Sequence, residues 1–429
     1  MAMQEFTGWQ YLLIDLANAF GHDKEVFEKR IAWAEENLDV LESLIDASAK
    51  DGSKPLFVKA VSSIRKTQQG IPSGHLVGFD ATCSGIQVMS AITGCITGAN
   101  NVGLVDPFVR ADAYTLCTKI MNEILAAQGL SVTVTRTQAK AALMTAFYGS
   151  TREPKKLFGD DSPELDAFYK AAAIIAPGGW ELLHDLLNSW QDGALEHAWQ
   201  LPDGFNARVK VMKKYEDVVI EIDELDHATF SYTYYVNEGK VKGKEDGTKS
   251  NAANVVHSID AYVLRSIHRR CNYDHDTTWN AARFIASELD DRQLNGKKVD
   301  ASVATEAVKY YIGLYERSKM ADVVILPHLD QYTVNALSDA HLGKLKSIVD
   351  MMLAHKPFPV ITIHDEFKCH PNNMNHLRKH YMSIFAQLSE ADLLSGIFQD
   401  IYGIPHITFD KKSEGQLGAL IRQSNYSLC

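Results

Sequence analysis

The thirteen residues from His75 to Gln87, HLVGFDATCSGIQ, constrain the chain more than any other stretch. Leu76, Val77 and Phe79 make a short apolar run of strand type, and Asp80 ends it. Ser84 stands where a helix N-cap would, and the pattern from Ile86 continues helically to Gly94. A carboxylate at the end of a buried strand, facing a helix N-terminus, is a good place to hold a hard cation. Alone, such an aspartate is more often a cap or turn residue. A chemical role needs partners from elsewhere in the chain.

A chain of 429 residues can bury a large core and form two or three subdomains. No apolar run approaches the ~20 residues that span a bilayer, and MAMQEFTGWQ has neither the basic nor the apolar region of a secretory leader. Six scattered cysteines form no CxxC pair and suit a reducing compartment. The net charge of −11 argues against whole-surface attraction to nucleic acid but leaves room for a local basic channel or a basic partner.

In chain order, residues 11–14 form a strand-like run. Asp23 is placed to cap an amphipathic helix over 24–49. Residues 50–74, polar with Gly and Pro, read as a connector. Asp106-Pro107 signals a helix running to Gln128. Arg136 and Lys140, i and i+4, lie on one face of a helix that carries Tyr148 and stops at Gly149. Residues 150–200 are helical, with Ser162-Pro163 as one start and a break at 176–179; Trp180, Trp190 and Trp199 suit a core. Leu201-Pro202-Asp203-Gly204-Phe205 opens a β region with period-2 strands near 208–212, 218–222 and 229–236. Residues 237–248 read as a hairpin tip, whose Lys240, Lys242 and Lys244, with Lys249, suit phosphates or solvent equally. Helices are expected near 276–290, 302–318 and 338–354. Residues 359–370 read as a strand, a polar tip and a second strand, followed by a helix over 375–388.

Four of these motifs carry a resemblance. Phe79-Asp80-Ala81-Thr82-Cys83-Ser84-Gly85-Ile86-Gln87 resembles motif A of the single-subunit RNA polymerases of phages and mitochondria. Arg136, Lys140, Tyr148 and Gly149 match the R-x-x-x-K-x7-Y-G of motif B. Asn254-Val255-Val256-His257-Ser258-Ile259-Asp260 resembles that family's N-x-V-H-S-x-D, and His364-Asp365 its motif C. The segment preceding motif A and the final FDKKSEGQLGALIRQSNYSLC are also similar, the latter folding back toward the active site so that Cys429 is not at the surface. Two departures stand out. Ala141 follows the motif B lysine where phage members often have arginine, and Val263 stands where they commonly have a histidine that senses the 2′-hydroxyl.

The resemblance implies an α+β right-hand polymerase, mostly helical with an antiparallel palm sheet. It implies palm with motif A over 1–135, fingers with the motif B helix over 136–205, a palm and specificity-type β-hairpin region over 206–265, a helical insertion over 266–355, and palm with motif C over 356–429. The implied activity is DNA-directed RNA synthesis by nucleotidyl transfer. Asp80, Asp365 and the Ala81 carbonyl would ligate two Mg²⁺ ions. Lys140, Arg136 and Lys24 would neutralise the incoming triphosphate, and Lys140 would protonate the leaving pyrophosphate. Tyr148, Gly85, His257 and His364 would line the substrate. Ser84-Gly85-Ile86-Gln87 leaves space where related DNA polymerases usually place a bulky glutamate, which favours ribonucleotides. The implied partners are DNA template, nascent RNA and rNTPs. The family's N-terminal domain, thumb and D-x-x-G-R element should precede Asn18, and no D-x-x-G-R occurs there. This matches the two-subunit polymerases of N-four-like (Schitoviridae) podophages, in which a small subunit carries the thumb and that element. It adds the expectation of a single-stranded-DNA-binding or template-recruiting accessory protein and of action in the cytoplasm of an infected bacterium. Two other readings compete: a family A-like DNA polymerase or primase, and a non-catalytic scaffold.

Overall fold

In the computed structural model, which describes residues 3–47, 54–191, 194–211, 214–235, 249–413 and 415–429, Thr7 opens the first helix. Its hydroxyl accepts from the Gln10 N–H at 3.2 Å, and its own N–H donates to Gln10 Oε1 at 2.9 Å, a reciprocal cap that starts α1 (Gly8–Ala17). Residues 11–14 therefore lie in a helix, not a strand. Tyr11, Leu12, Leu13 and Ile14 are all buried, and a short run apolar on every side carries no period to tell helix from strand. The expected helix over 24–49 is also shorter than its pattern. The chain leaves α1 through a π-helical turn with Gly21 at φ 125°. The fully buried Arg30 guanidinium then holds the carbonyls of Asp23 and Glu25 and the Asn18 side chain. Those bonds keep residues 23–25 out of the helix, so α2 spans Phe27–Glu36 and Asp23 does not cap it.

The supposed connector contains α3 (Lys54–Gln68), which buries Phe57, Ala60, Val61 and Ile64 at helical spacing. β1 (Val77–Asp80) follows, then α4 (Ser84–Thr93). Ser84 is the first residue of α4 rather than its cap. Cys83 holds the cap position without a side-chain bond, and Gly94 closes the helix at φ 69°. After α5 (Ile96–Asn101), Asp106 accepts from the Phe108 N–H in a local turn. The cap is instead Asp112, which takes the N–H groups of Tyr114 and Thr115 and starts α6 (Ala113–Ala127). Thr135 and Gln138 form a second reciprocal cap at α7 (Arg136–Ala146). Then come α8 (Arg152–Phe158), α9 (Pro163–Ile175), capped by Ser162, and α10 (Pro177–Asn188). Trp199 is buried and Trp180 and Trp190 pack against the core, as expected.

Leu201–Phe205 proves to be the turn between β2 (Glu196–Gln200) and β3 (Asn206–Lys210), not the start of a β region. β4 (Lys214–Ile222) and β5 (Ala228–Tyr235) pair as a separate antiparallel ribbon. Its turn falls at 223–227, whereas the tip expected at 237–248 lies outside the described residues, Lys240, Lys242 and Lys244 included. The long α11 (Asn251–Cys271) carries the N-x-V-H-S-x-D motif. Three helices follow close to expectation: α12 (His275–Asn295), α13 (Glu306–Ser318) and α14 (Asp339–Leu353). They enclose a second hydrophobic core drawn from residues between Tyr273 and Met352. β6 (Ile361–Ile363) and β7 (Glu366–Cys369) form the expected hairpin, and α15 (Met374–Glu390), α16 (Leu393–Tyr402) and α17 (Gln416–Ile421) complete the chain.

The result is an α+β fold, mostly helical. Its central sheet is antiparallel in the order β1-β7-β6 and lies on the main core. Behind it, α4 runs through the interior with every residue from Gly85 to Thr93 buried. The Gln87 amide, wholly buried, donates to Thr82 Oγ1 at 2.9 Å, the Val102 carbonyl at 3.1 Å and the Ser427 carbonyl at 2.8 Å, and its oxygen accepts from Tyr381 at 2.6 Å. One satisfied amide thus ties the turn after β1, the C-terminal segment and α15 together.

A buried ion cluster joins α11 to its surroundings. Asp203 accepts from Arg265 at 2.7 Å and from Arg269 at 3.2 Å, and Arg269 also reaches Asp322 at 3.0 Å. The Asp203 side chain is almost fully enclosed, so removing it strands Arg265 and leaves Arg269 paired with Asp322 alone. Asp203→Ala is expected to cost about 2–3 kcal/mol, read as a lower urea unfolding midpoint. An unchanged midpoint would mean that solvent already screens both arginines.

Candidate active site

The site begins with strand register. In the β1–β7 ladder Asp80 lies opposite Glu366. One residue further, the Ala81 N–H donates to the Asp365 carbonyl at 3.1 Å. Asp365 is the second residue of the two-residue connection between β6 and β7, whose first residue, His364, sits at φ 55°. A non-glycine residue in that left-handed region costs roughly 1–2 kcal/mol, and tight turns at functional sites are where such strain collects. The C-terminal segment closes the other side: Ala81 bridges to Leu428, and the Cys429 N–H donates to the Asp80 carbonyl at 3.0 Å. Cys429 is buried, as expected.

Three carboxylates therefore gather at one end of the sheet. Asp80 keeps an edge open to solvent. Even so, the surrounding protein strips hydration from its carboxyl group, and the like charges of Glu366 and Asp365 add to the effect. Together they push its pKa up to about 6, against the pull of Lys368 and Lys24. Lys368 is paired with Glu366 at 2.9 Å.

On one side of Asp365 lies a cavity of about 440 Å³ whose walls include Asp80, Ala81, Lys24, Arg110, Arg136 and Lys140. Arg136 and Lys140 share a face of α7, as their spacing requires, and both stand 5.6 Å from the Tyr114 ring centroid. Arg136 is already engaged, bonding Asp112 at 2.7 and 3.0 Å. Lys24 is paired with Asp23 at 2.6 Å. Among the described residues Lys140 makes no ion pair. The cations that sequence pointed to thus reach one cavity, but only Lys140 meets it without a carboxylate partner.

On the other side lies a second cavity of about 440 Å³, lined by Ser84, Tyr148, His257, Asp260, Val263 and His364 among others. Asp365 and Met144 line both cavities, so the two meet there. The Tyr148 ring leans on His257 with centroids 4.7 Å apart. It also needs Gly85: a Cβ at that position would lie 2.6 Å from the Tyr148 oxygen. Burial lowers the pKa of His257. Asp260 is pushed up to about 7, first by burial and then by the charge of Asp365, while a hydrogen bond with Ser84 pulls the other way.

All of the residues singled out from sequence (Lys24, Asp80, Ala81, Gly85, Arg136, Lys140, Tyr148, His257, His364 and Asp365) border this pair of cavities or, for Gly85, pack beneath Tyr148. Sequence reasoning missed Arg110, Glu366 and Asp260. Glu366 directly follows Asp365, and Asp260 is the last residue of the N-x-V-H-S-x-D motif. Arg110 had no local signal beyond its closeness to the Asp112 cap.

The donor set is one of hard oxygens, and carboxylates crowded enough to raise the pKa of Asp80 despite Lys368 and Lys24 fit a divalent cation of the Mg²⁺ class. Cations on the facing helix fit a polyphosphate. A phenol and an imidazole, set apart from both, fit a planar or sugar group.

Part of the chain is similar to known proteins. Residues 4–157 match the family model described as DNA-dependent RNA polymerase. A DNA-directed RNA polymerase of Pseudomonas phage phiKMV is 29% identical over 174 residues, 34% of this chain and 21% of that protein. A probable DNA-directed RNA polymerase of Neurospora crassa is 30% identical over 159 residues, covering 34% and 18%. A mitochondrial DNA-directed RNA polymerase of Schizosaccharomyces pombe is 28% identical over 168 residues, covering 34% and 14%. The match thus spans about a third of this chain and between 14% and 21% of each of these relatives. The family-model match reaches Asp80, Arg136, Lys140 and Tyr148 but stops well before Asp260 and Asp365.

The crowding of Asp80 has a consequence for stability. An acid whose pKa is higher in the folded state weakens the fold once ionised, so the cost grows as pH rises from about 4, its unfolded value, to about 6. Without divalent ions, Asp80→Asn is expected to raise the thermal midpoint at pH 8, with the gain fading toward pH 4. A gain independent of pH over that range would refute the crowding.

Proposed function

We propose that this chain is the catalytic part of a DNA-directed RNA polymerase, adding ribonucleotides to an RNA 3′ end under the direction of a DNA template. The observation that carries the reading is Asp365. It lies outside residues 4–157, which the family model matches, yet it stands beside Asp80, with Lys140 and Arg136 on the facing wall. Two acids and a cavity with cations along the wall that faces them are what in-line nucleotidyl transfer requires.

In this reading Asp80, Asp365 and the Ala81 carbonyl hold two Mg²⁺ ions, which when bound supply positive charge to the attacking 3′-hydroxyl and the leaving pyrophosphate. The chain's own residues do the rest. Lys140 neutralises the triphosphate and is placed to give a proton to pyrophosphate. Arg136 trades Asp112 for phosphate oxygens when the nucleotide enters, and Lys24 releases Asp23 in the same way. Arg110, on the same wall, supplies a cation of the kind that Ala141 does not. Tyr148, seated over Gly85, presents its hydroxyl to the ribose. Val263 offers no polar contact there, so the ribose check falls to Tyr148 and its neighbours Ser84 and Asp260. The β1-β7-β6 sheet is then the palm and α7 opens the fingers.

We assign the grip on the RNA–DNA hybrid to a separate small subunit carrying a thumb and a D-x-x-G-R element. An accessory protein that binds single-stranded DNA or recruits template would serve an acidic chain of this kind, acting on phage genes inside an infected bacterium. The acidic surface supports this: a net charge of −11 does little to find DNA unaided.

The test is RNA extension on a primed single-stranded DNA template with Mg²⁺ and rNTPs, using the chain alone and with its small partner co-expressed. Extension only with the partner, reduced about 10³-fold or more in Asp80→Asn or Asp365→Asn with the fold intact, is the expected result. Full activity in either variant would remove that aspartate from the metal site. Incorporation of dNTPs in preference would turn the assignment to a DNA polymerase. Tyr148→Phe should relax discrimination against dNTPs about tenfold, the worth of one hydrogen bond. Unchanged sugar selectivity would take that role from Tyr148.

A further inference from the structure

Away from the catalytic cavities, three imidazoles meet where the chain enters and leaves the segment that forms the second core. His376 and His380 stand four residues apart on α15 and so share a face. His355 comes from the link after α14. Its ring centroid is 4.7 Å from that of His376 and 5.1 Å from that of His380. The two ends of the segment close beside it: the Tyr273 hydroxyl donates to the His355 carbonyl, and the Phe358 N–H donates to the Cys271 carbonyl at 2.9 Å.

Neighbours fix the hydrogens. His355 Nδ1 lies 2.9 Å from the Lys356 carbonyl oxygen, so it carries the hydrogen and donates it. His355 Nε2 then keeps its lone pair. His380 Nε2, 2.8 Å away, must be the donor to it. That leaves His380 Nδ1 buried and without a partner. Burial favours the neutral form of all three rings. The cations Arg270 and Lys379 push in the same direction, and Glu5, itself paired with Lys379, is the acid that opposes them at His376.

Neutral imidazoles are the donors that zinc and its neighbours prefer. An imidazole whose Nδ1–H is anchored on a backbone carbonyl, with Nε2 free, has the arrangement of a metal ligand. The separations of about 5 Å from the His355 ring to each of the other two are also what imidazoles at ~2.0–2.1 Å from one tetrahedral ion produce. As they stand the three do not converge on one point. His376 must turn its ring, the 2.8 Å contact must open to about 3.3 Å, and the His380 hydrogen must move from Nε2 to Nδ1, with no net proton released.

We propose that His355, His376 and His380 form a transition-metal site, best suited to Zn²⁺, with its fourth position open to water. The ion would pin the neck of the second-core segment to α15. The site takes nitrogen donors and borderline ions, so it is distinct from the oxygen-lined catalytic site.

The full chain, stripped of metal, would be titrated with Co²⁺ and followed by visible absorption, then with Zn²⁺ as competitor. One equivalent of Co²⁺ with intense bands near 550–650 nm, displaced by Zn²⁺, and a Zn²⁺-dependent rise in thermal midpoint are expected. Because His380 is fully buried and its replacement endangers folding, the deciding variants are His376→Gln and His355→Gln. Each should weaken Zn²⁺ binding about 10–100-fold, while Asp80→Asn binds as the parent does. Failure of the folded parent to bind, or equal binding by the His355→Gln/His376→Gln double variant, would overturn the site. Neither readout depends on RNA synthesis.

Discussion

Two backbone hydrogen bonds hold the centre of this molecule: Ala81 N–H to the Asp365 carbonyl and Cys429 N–H to the Asp80 carbonyl. They join segments that the sequence keeps far apart. Because strand side chains alternate, the same register that makes these bonds puts Asp80 opposite Glu366 and brings Asp365 to the end of the ladder. A slip of one residue would turn Asp80 to the opposite face. The large core beneath, with Gln87 satisfied on every side, is what makes such a slip costly.

The electrostatics follow from that register. Burial and the like charges of Glu366 and Asp365 raise the pKa of Asp80, and the fold tolerates this because cations stand across the gap. Those cations are mostly held in reserve. Arg136 rests on Asp112 and Lys24 on Asp23, so among the described residues, of these cations only Lys140 meets the cavity unpaired. In a chain of net charge −11 this confines attraction for phosphate to one place.

Much of this was legible in advance, for identifiable reasons. α7 announced itself through the Arg136/Lys140 spacing, though it ends at Ala146 rather than Gly149 and leaves Tyr148 in the turn that follows. The β6–β7 hairpin showed as two apolar runs around a polar tip. α3 was hidden because polar, Gly- and Pro-bearing flanks masked a clear helical pattern at Phe57, Ala60, Val61 and Ile64. Asp106-Pro107 drew the start of α6 too early, since a local turn and a true cap use the same residue types. Residues whose meaning depends on neighbours remote in the chain were out of reach. Asp260 matters through Ser84 and Asp365, Arg110 through the cavity it faces, and His355 through two histidines on another helix.

The topology also sets a clock. β1 cannot take its partner until β7 has been made, about 285 residues later. At the ~5–20 residues per second of translation that is an interval of roughly a quarter of a minute to a minute. Throughout it the strand ending in Asp80 has an unpaired edge and the carboxylates are apart. The nascent chain is therefore without its assembled centre until synthesis nears Cys429. During this time an exposed strand next to an apolar helix is the part most in need of a chaperone or of an early-binding partner.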